Sequence, residues 1–241
     1  MAEVSIAGRP AYRLYQWLWT GLDWLLPPRC GGCGKLGTRW CASCQAETAI
    51  IFPPICDRCG RPQSFEGICS RCKDYPPNYS ILRSWAYFSG PLRNSIHRLK
   101  YKRDIALGDV LARPLITLLQ NTGWCMDMIV PVPISLTRKA ARGYNQAALL
   151  ARPIALGVGL KYHPKGIMKT RETRSQVGLT LEERRVNVHG AFKSDPRVVA
   201  GKRILVVDDV ITSGATLNAC AQALRNEGAV EVYCLTLARA L

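Results

Sequence analysis

Two constellations in this sequence combine residue types and spacings that could do chemistry. The first is cysteine. Eight of the eleven cysteines form four Cys-x-x-Cys pairs: Cys30/Cys33, Cys41/Cys44, Cys56/Cys59 and Cys69/Cys72. Two intervening residues suit a knuckle that points both sulfurs at one metal ion, and two knuckles complete a tetrahedral four-thiolate zinc site. The run CGGCGKLGTRWCASC repeats loosely as CDRCGRPQSFEGICSRC. That repeat predicts two tandem ribbons, each closed by consecutive pairs, and hence two structural zinc ions. A cross-braced arrangement, in which the first pair meets the third, is the alternative. A disulfide framework competes with both, but no secretory pattern directs the chain to an oxidising compartment. Cys125, Cys220 and Cys234 stand alone in apolar surroundings and are expected to be small core residues.

The second constellation is ILVVDDVITSGATL, residues 204–217. Its four apolar residues suit a buried parallel strand, and Asp208 and Asp209 stand at the carboxyl end. Thr212, Ser213, Gly214, Ala215 and Thr216 then make a short polar turn into a helix. Ligands of open α/β sheets bind outside the carboxyl ends of strands. A glycine-containing turn at a helix start presents backbone N–H groups and the positive end of the helix dipole to a phosphate. The hydroxyls add donors, and the carboxylates can accept hydrogen bonds from sugar hydroxyls. The motif has the parts to hold a ribose that carries a phosphate. A P-loop NTPase is disfavoured, because no GxxxxGK[ST] is present. A response-regulator receiver would open on such an acidic strand end, whereas only 33 residues follow Asp208.

The elements that must position these groups are legible as an alternation. Strand patterns occur at 84–88, 128–133, 166–169, 203–208 and 230–237, and helical patterns at 91–98, 107–119, 146–157 and 214–227. Residues 73–80 read as a linker. Alternation of this kind predicts an α/β domain around a mostly parallel sheet. Near the start, Leu14, Trp17, Leu18, Leu22 and Leu25 recur at helical spacing before Pro27-Pro28, which predicts an amphipathic helix whose apolar face packs on the rest of the protein. Gln16 and Asp23 interrupt that run, and it is short of the roughly 20 residues of a membrane span. It also lacks a cleavage-site pattern, so the expected location is the cytoplasm.

Charge narrows the partners. Lys and Arg number 33 against 17 Asp and Glu, a formal surplus of +16. Residues 83–103 hold six basic residues and no acid, and residues 138–185 hold eleven basic and three acidic residues. Such clustering favours polyanions or phosphate-bearing substrates.

ILVVDDVITSGAT resembles the phosphoribosyl-pyrophosphate motif of type I phosphoribosyltransferases. PVPISLTRKAARGYNQA, residues 131–147, resembles the ComF branch of that superfamily, above all at Arg142-Gly143-Tyr144-Asn145-Gln146. So do Arg171, Thr173, Gln176, Arg184, Arg185 and Asn187, the segment His97 to Tyr101, and the closing TLARA. The cysteine-rich front is similar to the double zinc ribbon that precedes this domain in the branch. The resemblance implies a type I phosphoribosyltransferase-like, mostly parallel sheet flanked by helices, with an N-terminal zinc-ribbon module. The expected division is a helix in 1–28, the ribbons in 29–75 and the phosphoribosyltransferase-like domain in 80–241.

The resemblance also implies roles. Asp208 and Asp209 would hold the ribose hydroxyls, directly or through magnesium, and Thr212 to Thr216 would cradle the 5′-phosphate. Arg138, Lys139 and Arg142, in a loop at 133–144, would meet pyrophosphate. A segment near Lys169 to Gln176 would form a mobile loop over the site. The reaction would be displacement at C1 of the sugar with release of pyrophosphate, to an acceptor the sequence does not identify. A protein that binds phosphoribosyl pyrophosphate without turnover is the first alternative. The second is a single-stranded-DNA-handling protein allied to competence and DNA-uptake machinery at the inner membrane, with Trp40, Phe65 and Tyr75 as stacking residues. No oligomeric state is implied.

Overall fold

The computed structural model describes residues 10–25, 27–174, 178 and 180–240. Among them the elements run, in chain order, α1 (Pro10–Leu25), α2 (Ala42–Ala46), α3 (Ser70–Asp74), β1 (Ile81–Tyr87), α4 (Gly90–Tyr101), α5 (Leu107–Gln120), β2 (Met128–Pro131), α6 (Leu136–Arg142), α7 (Gln146–Val158), β3 (Lys161–Tyr162), β4 (Ile167–Lys169), α8 (Leu181–Val188), β5 (Phe192–Ser194), α9 (Pro196–Val199), β6 (Arg203–Ile211), α10 (Ala215–Asn226) and β7 (Glu231–Arg239).

Five strands form one sheet in the order β1-β7-β6-β2-β3, and every neighbouring pair is parallel. β6 and β7 lie inside it and are buried along nearly their whole length, which is why they read as continuous apolar runs. Two buried clusters cover the faces. One joins α4, α5 and α7 to the sheet through Leu99, Leu111, Leu115, Ile154, Leu205 and Leu235. The other joins α10 and the second cysteine group through Leu217, Leu224, Val206 and Val232. The strand expected at 166–169 leaves the sheet: β4 pairs antiparallel with β5 in a separate two-stranded ribbon. β3 and β5, two and three residues long, are too short to leave an alternation in the sequence.

The cysteine-rich module is hydrogen-bonded to this sheet. Between its two halves the chain runs beside β1, with Ile51 N–H on the Trp85 carbonyl at 3.0 Å and Tyr87 N–H on the Ala49 carbonyl at 2.8 Å. Leu82 N–H continues the line to the Arg58 carbonyl at 2.7 Å. The outer edge of β1 is therefore covered, which removes a row of unpaired backbone groups.

The N-terminal helix forms, but two of the residues expected on its packed face, Leu14 and Trp17, face solvent. Tyr12 is buried, and Tyr15 packs on the helical cluster. Leu14 and Trp17 are 65% and 75% exposed. The side chains of Leu18, Leu22 and Leu25 lie outside the described residues. Cys220 and Cys234 are buried core residues, whereas Cys125 is exposed; it precedes β2 in the turn that leads away from α5. No helix among the described residues is long and apolar enough to cross a membrane.

Candidate functional site

β6 carries the acid pair near its carboxyl end, the strand running on through Val210 and Ile211 past the expected end at 208, and successive strand residues face opposite sides. Asp209 is 3% exposed and forms an ion pair with Lys100 of α4. Gln146 Nε2, at the start of α7, donates to its Oδ1 at 3.5 Å. Asp208 lies toward Cys220 and Cys234, and its Oδ1 accepts the Asp209 backbone N–H at 2.9 Å. The surroundings divide the two carboxyls. Burial and the neighbouring Asp209 push Asp208 well above the usual carboxylate range. Burial acts on Asp209 in the same direction, but the Lys100 ammonium outweighs it and holds Asp209 below that range. Burial would lower Lys100, and Asp209 in turn raises it. The surroundings therefore favour the charged form of Asp209, which Lys100 of α4 neutralises, and disfavour that of Asp208.

The turn after the pair is shaped for an anion. Gly214 has φ +82°, a left-handed conformation that glycine adopts without strain, and it is the N-cap of α10 with no side chain to offer. The first N–H groups of a twelve-residue helix point out of the turn. Ser213 Oγ accepts the Ala215 N–H at 3.4 Å. Two arginines from distant segments hold the loop in place. Arg184 Nη1 donates to Thr212 Oγ1 at 2.9 Å, and Arg71 Nη2 donates to the Ser213 carbonyl at 3.1 Å. Thr216 is half-buried in the first turn of α10.

The segment expected as a loop at 133–144 is largely a short helix, α6. Ser135 caps it, accepting the Arg138 N–H at 3.3 Å, and Gly143 ends it at φ +84°. These caps are local hydrogen-bonding features that a charge pattern does not show. Arg138 and Lys139 are exposed on this helix. Arg142 is half-buried and engaged: its Nη1 donates to Gln146 Oε1 at 2.8 Å, and its guanidinium lies 5.2 Å from the Tyr101 ring centre. The Tyr144 hydroxyl donates to the Leu99 carbonyl. Asn145 Nδ2 reaches the Val132 carbonyl at 2.9 Å, and Asn145 Oδ1 caps α7. The Arg-Gly-Tyr-Asn-Gln stretch therefore clamps α6, α7 and α4 together and fixes Lys100 and Gln146 around Asp209.

The segment after β4 folds against α6. The Thr137 hydroxyl donates to Glu172 Oε2 at 3.1 Å, and Lys169 Nζ donates to Thr173 Oγ1 at 2.7 Å. Asn187 exchanges hydrogen bonds with the Arg174 backbone, both at 3.0 Å. Gln176 lies outside the described residues. Lys100 is the functional candidate that sequence reasoning missed. It read as one of a basic cluster, inside the His97–Tyr101 segment that carries the family resemblance, and the apolar periodicity that turns this face of α4 inward was the signal that could have singled it out.

The eight paired cysteines gather as Cys30, Cys33, Cys41 and Cys44, and as Cys56, Cys59, Cys69 and Cys72. The pairing is sequential, and the cross-braced alternative is excluded. Within each group all sulfurs lie within 4.8 Å of one another, and the closest pairs are 3.6–3.8 Å apart. A tetrahedron with Zn–S of about 2.3 Å has edges of about 3.8 Å, so both groups fit zinc. Backbone N–H groups favour thiolate at one cysteine of each group, while burial pushes Cys44, Cys59 and Cys72 up. Burial pushes Cys30 and Cys56 up, but N–H donors from their own knuckle and the facing one outweigh it and hold them at about 6 and about 7. Gly32 is required where it is, because a Cβ there would sit 2.6 Å from the Cys44 sulfur.

Residues 21–73 match the double zinc ribbon domain family, and residues 140–241 match the phosphoribosyl transferase domain family. The chain is 33% identical to the DNA utilization protein YhgH of Escherichia coli O157:H7, over 89% of this chain and 96% of that protein. It is 28% identical to Competence protein ComFC of Bacillus subtilis strain 168, over 85% of this chain and 86% of that one. The chain belongs to the ComF family. Among solved structures it is similar to adenine phosphoribosyltransferase from Thermoanaerobacter pseudethanolicus, at 19% identity and a TM-score of 0.39, covering 57% of this chain and 72% of that one. The ComF sheet, its acidic strand end and its two cysteine groups are those of a phosphoribosyltransferase-type domain behind a double zinc ribbon.

Proposed function

We propose that this ComF protein binds phosphoribosyl pyrophosphate with magnesium and transfers the phosphoribosyl group to an acceptor, in the cytoplasm and in the service of DNA uptake. One observation carries the reading: two adjacent carboxylates near the end of β6, Asp209 buried and Asp208 half-buried, stand on the strand and turn that lead into an anion-ready helix start. Two carboxylates with no further acidic ligand suit magnesium, which shares its shell with water and substrate phosphates. When bound, the ion neutralises charge on the departing pyrophosphate. Asp208 and Asp209 accept the ribose hydroxyls. The N–H groups of Ser213 to Thr216 and the Thr212 hydroxyl take the 5′-phosphate. Arg138, Lys139 and Lys169 supply positive charge on the α6 side, where the leaving group gathers negative charge. Lys100 keeps Asp209 ionised and fixed throughout.

Asp208→Asn with Asp209→Asn keeps side-chain size but removes the charge. Magnesium-dependent binding of phosphoribosyl pyrophosphate should weaken by at least roughly tenfold, since charged hydrogen bonds contribute about 1.5–3 kcal/mol each. Calorimetric titration checks it, and equal affinity in parent and double variant removes the reading. Turnover is tested separately, by pyrophosphate release in a screen of bases and amines.

A second reading, binding of single-stranded DNA, draws on the basic surplus and on relatives named for DNA utilization and competence. Lys100 and Arg98 do not belong to its surface: the first pairs with Asp209, and Arg98 Nη2 meets Asp104 at 2.7 Å. Lys102 and Arg103 are exposed. Neutralising both should weaken binding and flatten its salt dependence; an unchanged slope of affinity against salt sinks this reading.

A further inference from the structure

A cleft of about 750 Å³ opens beside the phosphate loop, between the second cysteine group, the linker that follows it, α8 and the first turns of α10. Its wall includes Thr212 to Ala215, but neither acid of the pair nor Thr216. It is therefore a neighbour of the proposed sugar site across the same loop. Four arginines line it, Arg61, Arg71, Arg185 and Arg239, against one carboxylate, Asp74. A concave site with that balance concentrates anions.

Two details give the cleft chemistry. Arg239, at the end of β7, is 4% exposed; it donates from Nη2 to the Cys59 carbonyl, and its Nε has no hydrogen-bond partner. A buried guanidinium N–H without an acceptor is costly, and an anionic oxygen in the cleft is the acceptor this neighbourhood lacks. Tyr75 is 66% exposed at the rim, and the Arg185 guanidinium lies 5.2 Å from its ring centre. An aromatic face backed by a cation is a platform for a planar ring.

We propose that this cleft binds a nucleotide, its phosphate toward Arg71 and Arg239 and its base on Tyr75, while phosphoribosyl pyrophosphate occupies the other side of the Thr212–Ala215 loop. The simultaneous occupancy rests on the function proposed above; the cleft and its ligand do not. A free mononucleotide and the terminal unit of a single strand offer the same phosphate and ring.

The test is calorimetric titration of the full-length, zinc-loaded protein with dTMP and with a 5′-phosphorylated tetrathymidylate, each with and without saturating phosphoribosyl pyrophosphate and magnesium. Binding of either ligand should persist in the presence of phosphoribosyl pyrophosphate. Tyr75→Ala should weaken it about tenfold, the effect of losing one base stack, and Arg71→Gln should weaken it by a similar factor. Zinc content and melting of the Tyr75 variant should match the parent, because the ring is at the surface. Tighter binding of the tetranucleotide identifies a strand end as the occupant; equal binding identifies the mononucleotide. The Asp208→Asn, Asp209→Asn double variant should still bind nucleotide, so its loss of phosphoribosyl pyrophosphate does not bear on this site. No binding of either ligand, displacement of the nucleotide by phosphoribosyl pyrophosphate, or unchanged affinity in Tyr75→Ala and Arg71→Gln overturns the proposal.

Discussion

The two cysteine groups are built on one repeated motif, yet they brace opposite halves of the same site. The first leans on α4: Arg98 Nη1 donates to the Cys30 carbonyl at 3.0 Å, and Asn94 Nδ2 to the Gly32 carbonyl at 3.1 Å. Two residues beyond Arg98, the same helix delivers Lys100 to Asp209. The second group touches the phosphate loop itself, through Arg71 on the Ser213 carbonyl. Burial separates them further. All four sulfur residues of the second group are buried and belong to a core cluster, whereas in the first Cys33 is exposed and Cys41 half-exposed. Sequence repetition fixed the metal chemistry of both groups. Context then made one a peripheral support and the other part of the core.

The largest expected effect comes from Cys69→Ser. It should remove one of two zinc ions and lower the melting temperature much more than Cys41→Ser, which also removes one. Binding of a structural zinc is folding free energy, and in the second group that energy is coupled to the core. Elemental analysis and thermal unfolding of the two variants decide it, and equal melting temperatures would break the comparison. Next is Lys100→Met, which leaves Asp209 buried without its cation. Removing one partner of a buried ion pair typically costs about 3–5 kcal/mol. Urea unfolding should show a loss of that order with both zinc ions retained; a loss under roughly 1 kcal/mol, the value of an exposed pair, would mean that α4 does not neutralise the site. The smallest effect is kinetic. A chelator should take the first zinc faster than the second, because Cys33 and Cys41 are reachable from solvent. Time-resolved zinc release should be biphasic in the parent and lose its fast phase in Cys41→Ser.

The parts of this molecule that the sequence shows best are those with a period or a fixed spacing. Cys-x-x-Cys is a local geometry, so the four knuckles and their sequential closure were readable from the repeat. The acid pair followed by the Thr212–Thr216 turn was readable for the same reason. β6 and β7 showed as apolar runs because the sheet buries them on both faces. What escaped was set by contacts between distant residues. The resemblance covers Lys100 and stops short of Lys102, but it gives Lys100 no role; the packing of α4 is what turns one inward and leaves the other in solvent. Arg71 sits in a zinc knuckle, 142 positions from its partner Ser213. α6 was read as a loop because its basic residues dominate the pattern, while its ends are fixed by Ser135 and Gly143. Leu14 and Trp17 were placed inward by periodicity alone, whereas α1 meets the helical cluster through Tyr12 and Tyr15.

The cover on the outer edge of β1 also bears on how the chain is made. β1 finds its inner neighbour in β7, through pairs such as Leu82 with Cys234, and these partners lie 152 positions apart in the chain. While that stretch is being made the neighbour does not exist. The segment around Ala49 to Ile51 and the Arg58 carbonyl emerge before β1 does, and chains generally fold in the order they appear. With its metal in place, the front of the protein can therefore shield one side of β1 on the ribosome while the strand waits for its partner. A cell short of zinc would release nascent chains with both flanks of that strand open, and edge-to-edge aggregation would precede any loss of activity.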